Sequence, residues 1–242
     1  MSSRAGWAAA LWAPRRLTWW IAVLFAAGSA CFLVAPFPAF LRLVGPQADA
    51  AVFFAGSLMF TSAATLQWLQ TINVDRRPNG AGIGSLRRFT WEPHRLDWWS
   101  SGVQLVGTLF FNITTFRALT TAISSPSYDR LVWRPDAYGS VCFLVSGVVA
   151  YVAVAHGLLR RPPGTLEGTT ATVNLCGCVA FGAAAVAAYV VPSSGSVVDV
   201  TVVNAGTSLG ALFFLVGAVL LLPTLKRAAP ASGYTSRSPR QR

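Results

Sequence analysis

Apolar residues fall into six runs, each long enough to cross the roughly 30 Å hydrocarbon core of a bilayer as a helix. The runs cover Leu17 to Ala35, Ala50 to Ile72, Asp97 to Ile123, Pro135 to the Arg160-Arg161 pair, Thr169 to Val191 and Val197 to Leu222. Proline, arginine or aspartate punctuates their ends, as helix-stop and interface signals do. The pattern predicts an all-α polytopic membrane protein with six transmembrane helices in one bundle over residues 17–223. Residues 1–16 are then a short N-terminal tail, and residues 224–242 a basic tail too polar to pack. The first run is too long and too aromatic for a cleaved signal, so it is expected to stay as a span.

The third run departs from plain apolar patterning. In WEPHRLDWWSSGVQLVGTLFFNITTF, residues 91–116, a helical period of about 100° brings Asp97, Gln104, Thr108 and Thr115 within roughly 40° of one another, with Asn112 close by. The second run carries Ser57, Thr61 and Thr65 on one face. A polar contact between these two helices, made by Gln104, Thr108, Asn112, Thr115, Thr61 and Thr65, is therefore expected. It serves either as interhelical glue or as the lining of a conduit.

Composition agrees with the membrane reading. Of 242 residues, 54% are hydrophobic and only 11% charged, too few to cover a soluble surface. The net charge of +11 would suit nucleic acid if it formed one basic face, but the arginines stand between apolar runs. No nucleic-acid partner is expected. Lysine and arginine number 15 in the tails and even loops against 4 in the odd loops, which predicts both termini in the cytoplasm. The near-exclusive use of arginine, with abundant alanine and glycine, points to a bacterium and hence to its inner membrane.

A five-residue element recurs, small-small-x-x-Phe, at Gly28, Gly56, Gly107, Gly139 and Gly210, each glycine followed four residues later by a phenylalanine. A gap and a ring thus share a helix face, a packing device suited to lipid, where helices associate by close approach. Arg88 to Pro93 and Arg130 to Pro135 also share R-x-x-W-x-P, an interfacial anchor before a helix start. The first two spans resemble the YrhK-like family of bacterial membrane domains, a helical hairpin with a Gly-Ser-x-x-Phe element in each helix. The resemblance covers residues 17–73 and rests on Gly28, Ser29, Phe32, Gly56, Ser57 and Phe60. It implies a hairpin fold, and no catalytic residues.

Catalytic chemistry is not indicated. Asp97, Asp136 and Asp199 stand at span starts, where a carboxylate suits the helix dipole, and no ionisable residue sits mid-span. Acid or base chemistry would rest on Glu92, His94 and Asp97 alone. Cys31, Cys142, Cys176 and Cys178 lie in apolar runs without metal-ligand spacing, so no metal or cofactor is expected. The expected function is that of a structural or partner-binding membrane protein without enzymatic activity, held in the lipid bilayer and able to self-associate or meet another membrane protein. The alternative is a small carrier or channel for a neutral or weakly polar solute.

Overall fold

A computed structural model of the chain describes residues 13, 14, 16–73 and 89–222. Nearly all of the expected N-terminal tail, the C-terminal tail and the NGAGIGS loop with Arg76, Arg77, Arg87 and Arg88 lie outside the described residues. The long helices are α1 (Leu17–Val34), α3 (Pro46–Thr71), α4 (Leu96–Ala118), α5 (Arg134–Ala155), α6 (Leu166–Ala187) and α7 (Val200–Leu221). A short helix, α2 (Pro38–Val44), joins α1 to α3, and a π-helical turn (Asp129–Trp133) runs straight into α5. Between α6 and α7 the chain forms β1 (Val190–Val191) and β2 (Ser196–Val197), paired antiparallel with Val190 opposite Val197.

Local chemistry sets the ends. Pro46 starts α3 four residues ahead of the expected run, because proline is pre-shaped for the first helical turn and Gly45, at φ 81°, turns the chain into it. Thr165 caps α6 by accepting from the Gly168 amide, and Asp199 caps α7 by accepting from Thr201 and Val202. Helix α4 stops at Ala118, short of the expected Ile123, where the amides of Leu119 and Thr120 tighten onto Phe116 and Arg117 carbonyls. The expected end of the fifth run, Val190–Val191, is strand instead.

Among the described residues five segments are long and apolar enough to cross a membrane: Leu17–Val34, Pro46–Thr71, Asp129–Ala155, Leu166–Ala187 and Val200–Leu221. The chain is thus all-helical with the membrane-length helices of a multi-pass protein. Helix α4 is equally long, but its serines, threonines and amides keep its composition below that of the other five.

The six long helices close into a ring. Each packs on its neighbours in chain order, and α7 returns to pack on α1. The ring is built from three hairpins, α1/α3, α4/α5 and α6/α7, that make the same internal contact. In each, the glycine of one helix receives the phenylalanine ring of the other. A Cβ on Gly56 would come 3.0 Å from the Phe32 ring, and one on Gly28 2.9 Å from the Phe60 ring. Gly107 and Gly139 take the rings of Phe143 and Phe111, at 2.7 and 3.2 Å. The third hairpin repeats this with Gly210 against Phe181 at 2.5 Å and Gly177 against Phe214 at 3.2 Å. Gly177-Cys178-Val179-Ala180-Phe181 is therefore a sixth copy of the element, beyond the five expected.

The repeat reaches further than the glycine and the ring. Two buried small residues follow each ring by one turn, such as Ala63 and Ala64, Thr114 and Thr115, or Gly217 and Ala218. Ahead of the first helices, PRRLTWW (Pro14–Trp20) matches PHRLDWW (Pro93–Trp99), and Pro163 and Leu166 hold the same places before α6. The match is structural too. The indoles of Trp20 and Trp99 donate to the carbonyls of Pro14 and Pro93 at 3.0 and 2.9 Å, and both tryptophan pairs meet edge-on with ring centres 4.9 Å apart. The chain is thus a threefold internal repeat of one helical hairpin.

Six rings meet on the axis. Phe32, Phe111 and Phe181 form one layer, with Phe181 6.0 Å from each of the others. Phe60, Phe143 and Phe214 form the second, with Phe214 at 6.0 and 5.8 Å. The void left among them is about 10 Å³, at the lower limit for one water molecule.

Gly210→Leu must push the Phe181 ring out of its notch and is expected to destabilise the protein by about 1–3 kcal/mol. Gly182→Ala, whose new methyl meets nothing within 4 Å, is the control and should be neutral. Thermal unfolding of both variants in detergent checks this; equal melting temperatures would rule out the interlock.

Candidate functional site

The expected polar stripe divides between two tasks. Most of it forms the seam between α3 and α4. Asn112 Nδ2 donates to Thr61 Oγ1 at 2.8 Å, Thr61 in turn donates to the Thr108 carbonyl at 3.3 Å, and Ser57 and Thr115 share a hydroxyl bond of 2.8 Å. Thr108 is fully buried and bonds back to Leu105, while Thr65, exposed, bonds only to the Thr61 carbonyl of its own helix. Gln104 is the exception, turning away from the seam to the ring axis.

There it joins a cavity of about 260 Å³ on one side of the phenylalanine layers. Gln67 and Gln70 of α3, Gln104 of α4, Thr170 and Asn174 of α6 and Thr18 of α1 supply its polar walls, and Phe25 and Phe214 its floor. Gln70 Nε2 donates to Thr18 Oγ1 at 2.8 Å, holding one amide in place. Gly217 is needed opposite, since a Cβ there would collide with Asn174 Oδ1.

A second cavity, about 330 Å³, lies on the other side and rests on Phe32, Phe111 and Phe181. Asp49 of α3 and Asp136 of α5 both open into it, with Thr207 of α7, Thr121 and Tyr128. Tyr128 lies outside the helices, and burial, reinforced by the negative charge of Asp136, raises its phenol above the ordinary value, so it stays a neutral hydrogen-bond donor.

The two cavities use equivalent positions. The axis-facing residues stand three and seven places before the glycine of each helix. On the first helices these include Ile21 and Phe25, Gln104, and Thr170 and Asn174, all at the amide cavity. On the second helices they are Asp49 and Phe53, Val132 and Asp136, and Val203 and Thr207, all at the carboxylate cavity. Sequence reading treated Asp136 only as a helix-start carboxylate and did not single out Asn174 or Asp49; their shared distance from the motif glycine was the available signal.

The remaining candidates are occupied elsewhere. Glu92 and Asp97 both bind Arg95, each with a shortest N–O distance of 2.5 Å, and Arg95 also donates to the Thr71 carbonyl at 3.3 Å. Bonding to Asp97 first, and to Glu92, raises the guanidinium above its ordinary pKa. This group is a strut from α3 to the start of α4. His156 ends α5 in the left-handed conformation, at φ 54°. Of the R-x-x-W-x-P pair, Trp91 packs on Trp98, whereas Trp133 donates to the Ala185 carbonyl at 2.9 Å and tiles the carboxylate cavity, so the two tryptophans do different work. Among the described residues no group of three metal-ligating side chains gathers.

Together these features define a multi-pass helical membrane protein with two cavities on its axis, separated by layers of aromatic side chains. No family model, curated protein or solved structure matches the chain, so the YrhK-like resemblance rests on the residues of α1 and α3 alone.

Asn112→Leu removes a seam bond and leaves Thr61 without its donor, so it should cost about 0.6 kcal/mol or more, while Gln104→Leu should leave stability nearly unchanged. Comparing the two unfolding midpoints in the same detergent tests the division; a larger loss for Gln104→Leu would reverse it.

Proposed function

We propose that the protein is a small carrier or channel whose conduit is the ring axis, with a polar cavity at each end and the phenylalanine layers as its constriction. The observation that carries this reading is the chemistry of the axis-facing positions. Every helix places the residue three before its glycine on the axis, and all but α4, whose Ser100 bonds to Ser146 instead, also place the residue seven before it there; in five of the six helices at least one of these is polar or charged. A bundle held together by packing alone gains nothing from about 260 and 330 Å³ of polar-lined space on its axis, because close packing is what associates helices in lipid. A polar lumen is what a permeating solute needs.

In this reading α4 is a sixth span. Its poor hydropathy reflects side chains that face the seam and the lumen, while Val106, Leu109 and Ile113 are exposed on its outer side. Three complete hairpins return the chain to the side where it began, and the arginine bias assigns that side, with the amide cavity, to the cytoplasm of a bacterial inner membrane. Reporter fusions at Gly80 and Ser127 should then report cytoplasmic and external positions respectively. A cytoplasmic residue 127 would overturn the assignment.

Reconstituted vesicles test the conduit. Glycerol should enter them faster than it enters protein-free vesicles. Phe214→Ala, which thins the constriction, should speed entry, and Gln104→Leu, which strips an amide from the cavity, should slow it. Each variant is first shown to elute as the wild type does. Entry at the protein-free rate for all three would favour the structural or partner-binding alternative.

A further inference from the structure

We infer that the solute is a small organic ammonium ion, received in the carboxylate cavity by Asp49 and Asp136; the inference rests on the conduit reading above. At the N-cap of α7, Asp199 is taken up by its own helix, accepting from Thr201 at 2.8 Å and Val202 at 3.0 Å. Asp49 and Asp136 stand in the first turns of α3 and α5, yet neither accepts a side-chain hydrogen bond among the described residues. Asp49 Oδ1 is fully buried and without a partner.

Neither is paired with a cation. Among the described residues the ion pairs shown join Arg95 to Glu92 and Asp97, and Arg134 to Asp129, leaving both cavity carboxylates out. Among the described residues no lysine or arginine lines either cavity. A carboxylate facing a cavity inside a membrane protein without a counter-charge is costly, and such groups mark substrate, ion or proton pathways. A cation supplied from outside the chain balances both.

The walls indicate which cation. Around the two carboxylates stand the rings of Phe53, Tyr128 and Trp133, over the floor of Phe32, Phe111 and Phe181. Aromatic faces attract organic ammonium groups, and the Thr121 and Thr207 hydroxyls of the same cavity are acceptors for N–H donors. The volume, about 330 Å³, is at the small end of organic-ligand sites, which run from about 300 to 1,000 Å³. Beyond the constriction, the side-chain carbonyls of Gln67, Gln104 and Asn174 are acceptors for the same N–H donors.

The test uses the full chain in detergent, with propylammonium chloride as the probe, 1-propanol as its neutral counterpart and potassium chloride as the ionic control. Propylammonium should raise the unfolding temperature saturably, and the other two should not. Asp136→Asn and Asp49→Asn, which keep shape and remove charge, should each weaken the apparent affinity by about ten- to a hundredfold, the worth of a hydrogen bond to a charged group. Wild-type affinity in both variants, or an equal response to propanol or potassium, overturns the ammonium assignment. Entry of glycerol and of propylammonium into vesicles, measured on the same preparations, separates the two readings. Glycerol flux without propylammonium binding sinks the ammonium inference and keeps the conduit, whereas propylammonium binding without flux of either solute upholds the site and sinks the conduit.

Discussion

The architecture depends on one contact, a phenylalanine ring seated over a glycine of the antiparallel partner helix, made twice in each hairpin. Where no side chain intervenes the backbones nearly touch: a Cβ on Gly28 would come 2.9 Å from the Gly56 carbonyl oxygen, and one on Gly177 3.1 Å from that of Gly210. Lipid tails are as apolar as leucine, so shape and not desolvation must hold such helices together. The interlock supplies the shape, and it also points the rings inward. Once three such hairpins close into a ring, the six rings have nowhere to meet but the axis, and the position one turn before each glycine is left facing the space above or below them, as is the position two turns before it in every helix but α4.

That constraint explains why packing and lining can vary independently. The glycine, the ring and the two small residues after it are needed by every hairpin. The residues three places before the glycine are not, and here they diverge into Phe25, Gln104 and Asn174 at one end and Phe53, Asp136 and Thr207 at the other. The first hairpin contributes an aromatic ring to both ends, and the other two contribute polar groups. The polar groups of the first hairpin enter from other positions, Thr18, Gln67 and Gln70 at one cavity and Asp49 at the other.

How much of this was legible follows from what a single helix can reveal. The runs of apolar residues and the glycine-phenylalanine spacing are properties of one helix at a time, and they predicted the helices and five of the six copies of the element, but not which glycine receives which ring. The sixth escaped because Cys178 is less obviously a small residue and α6 is a thin run of Ala, Val and Gly. The polar residues of α4 were visible, but their roles were not. Gln104 and Asn112 lie about 80° apart on the helix, which is the difference between facing the axis and facing α3. Only the position of the neighbouring helices decides between those directions. Asp136 shows the same limit, since a helix-start carboxylate reads as a dipole partner until the space in front of it is known.

The side-chain hydrogen bonds also divide the ring unequally. Among the described residues the α3/α4 seam carries three between helices: Ser57 to Thr115, Thr61 to the Thr108 carbonyl and Asn112 to Thr61. The α5/α6 seam has the Trp133 bond to Ala185, and the α7/α1 seam has Ser208 to the Leu33 carbonyl at 3.3 Å. The first two hairpins are thus tied into a unit of four helices, and the third closes the ring mainly through its aromatic rings and small residues. Asn112 and Thr115 of α4 belong to that tie, whereas Ser100 bonds to Ser146 within the second hairpin. Gln104 lies off the seam and opens into the amide cavity instead.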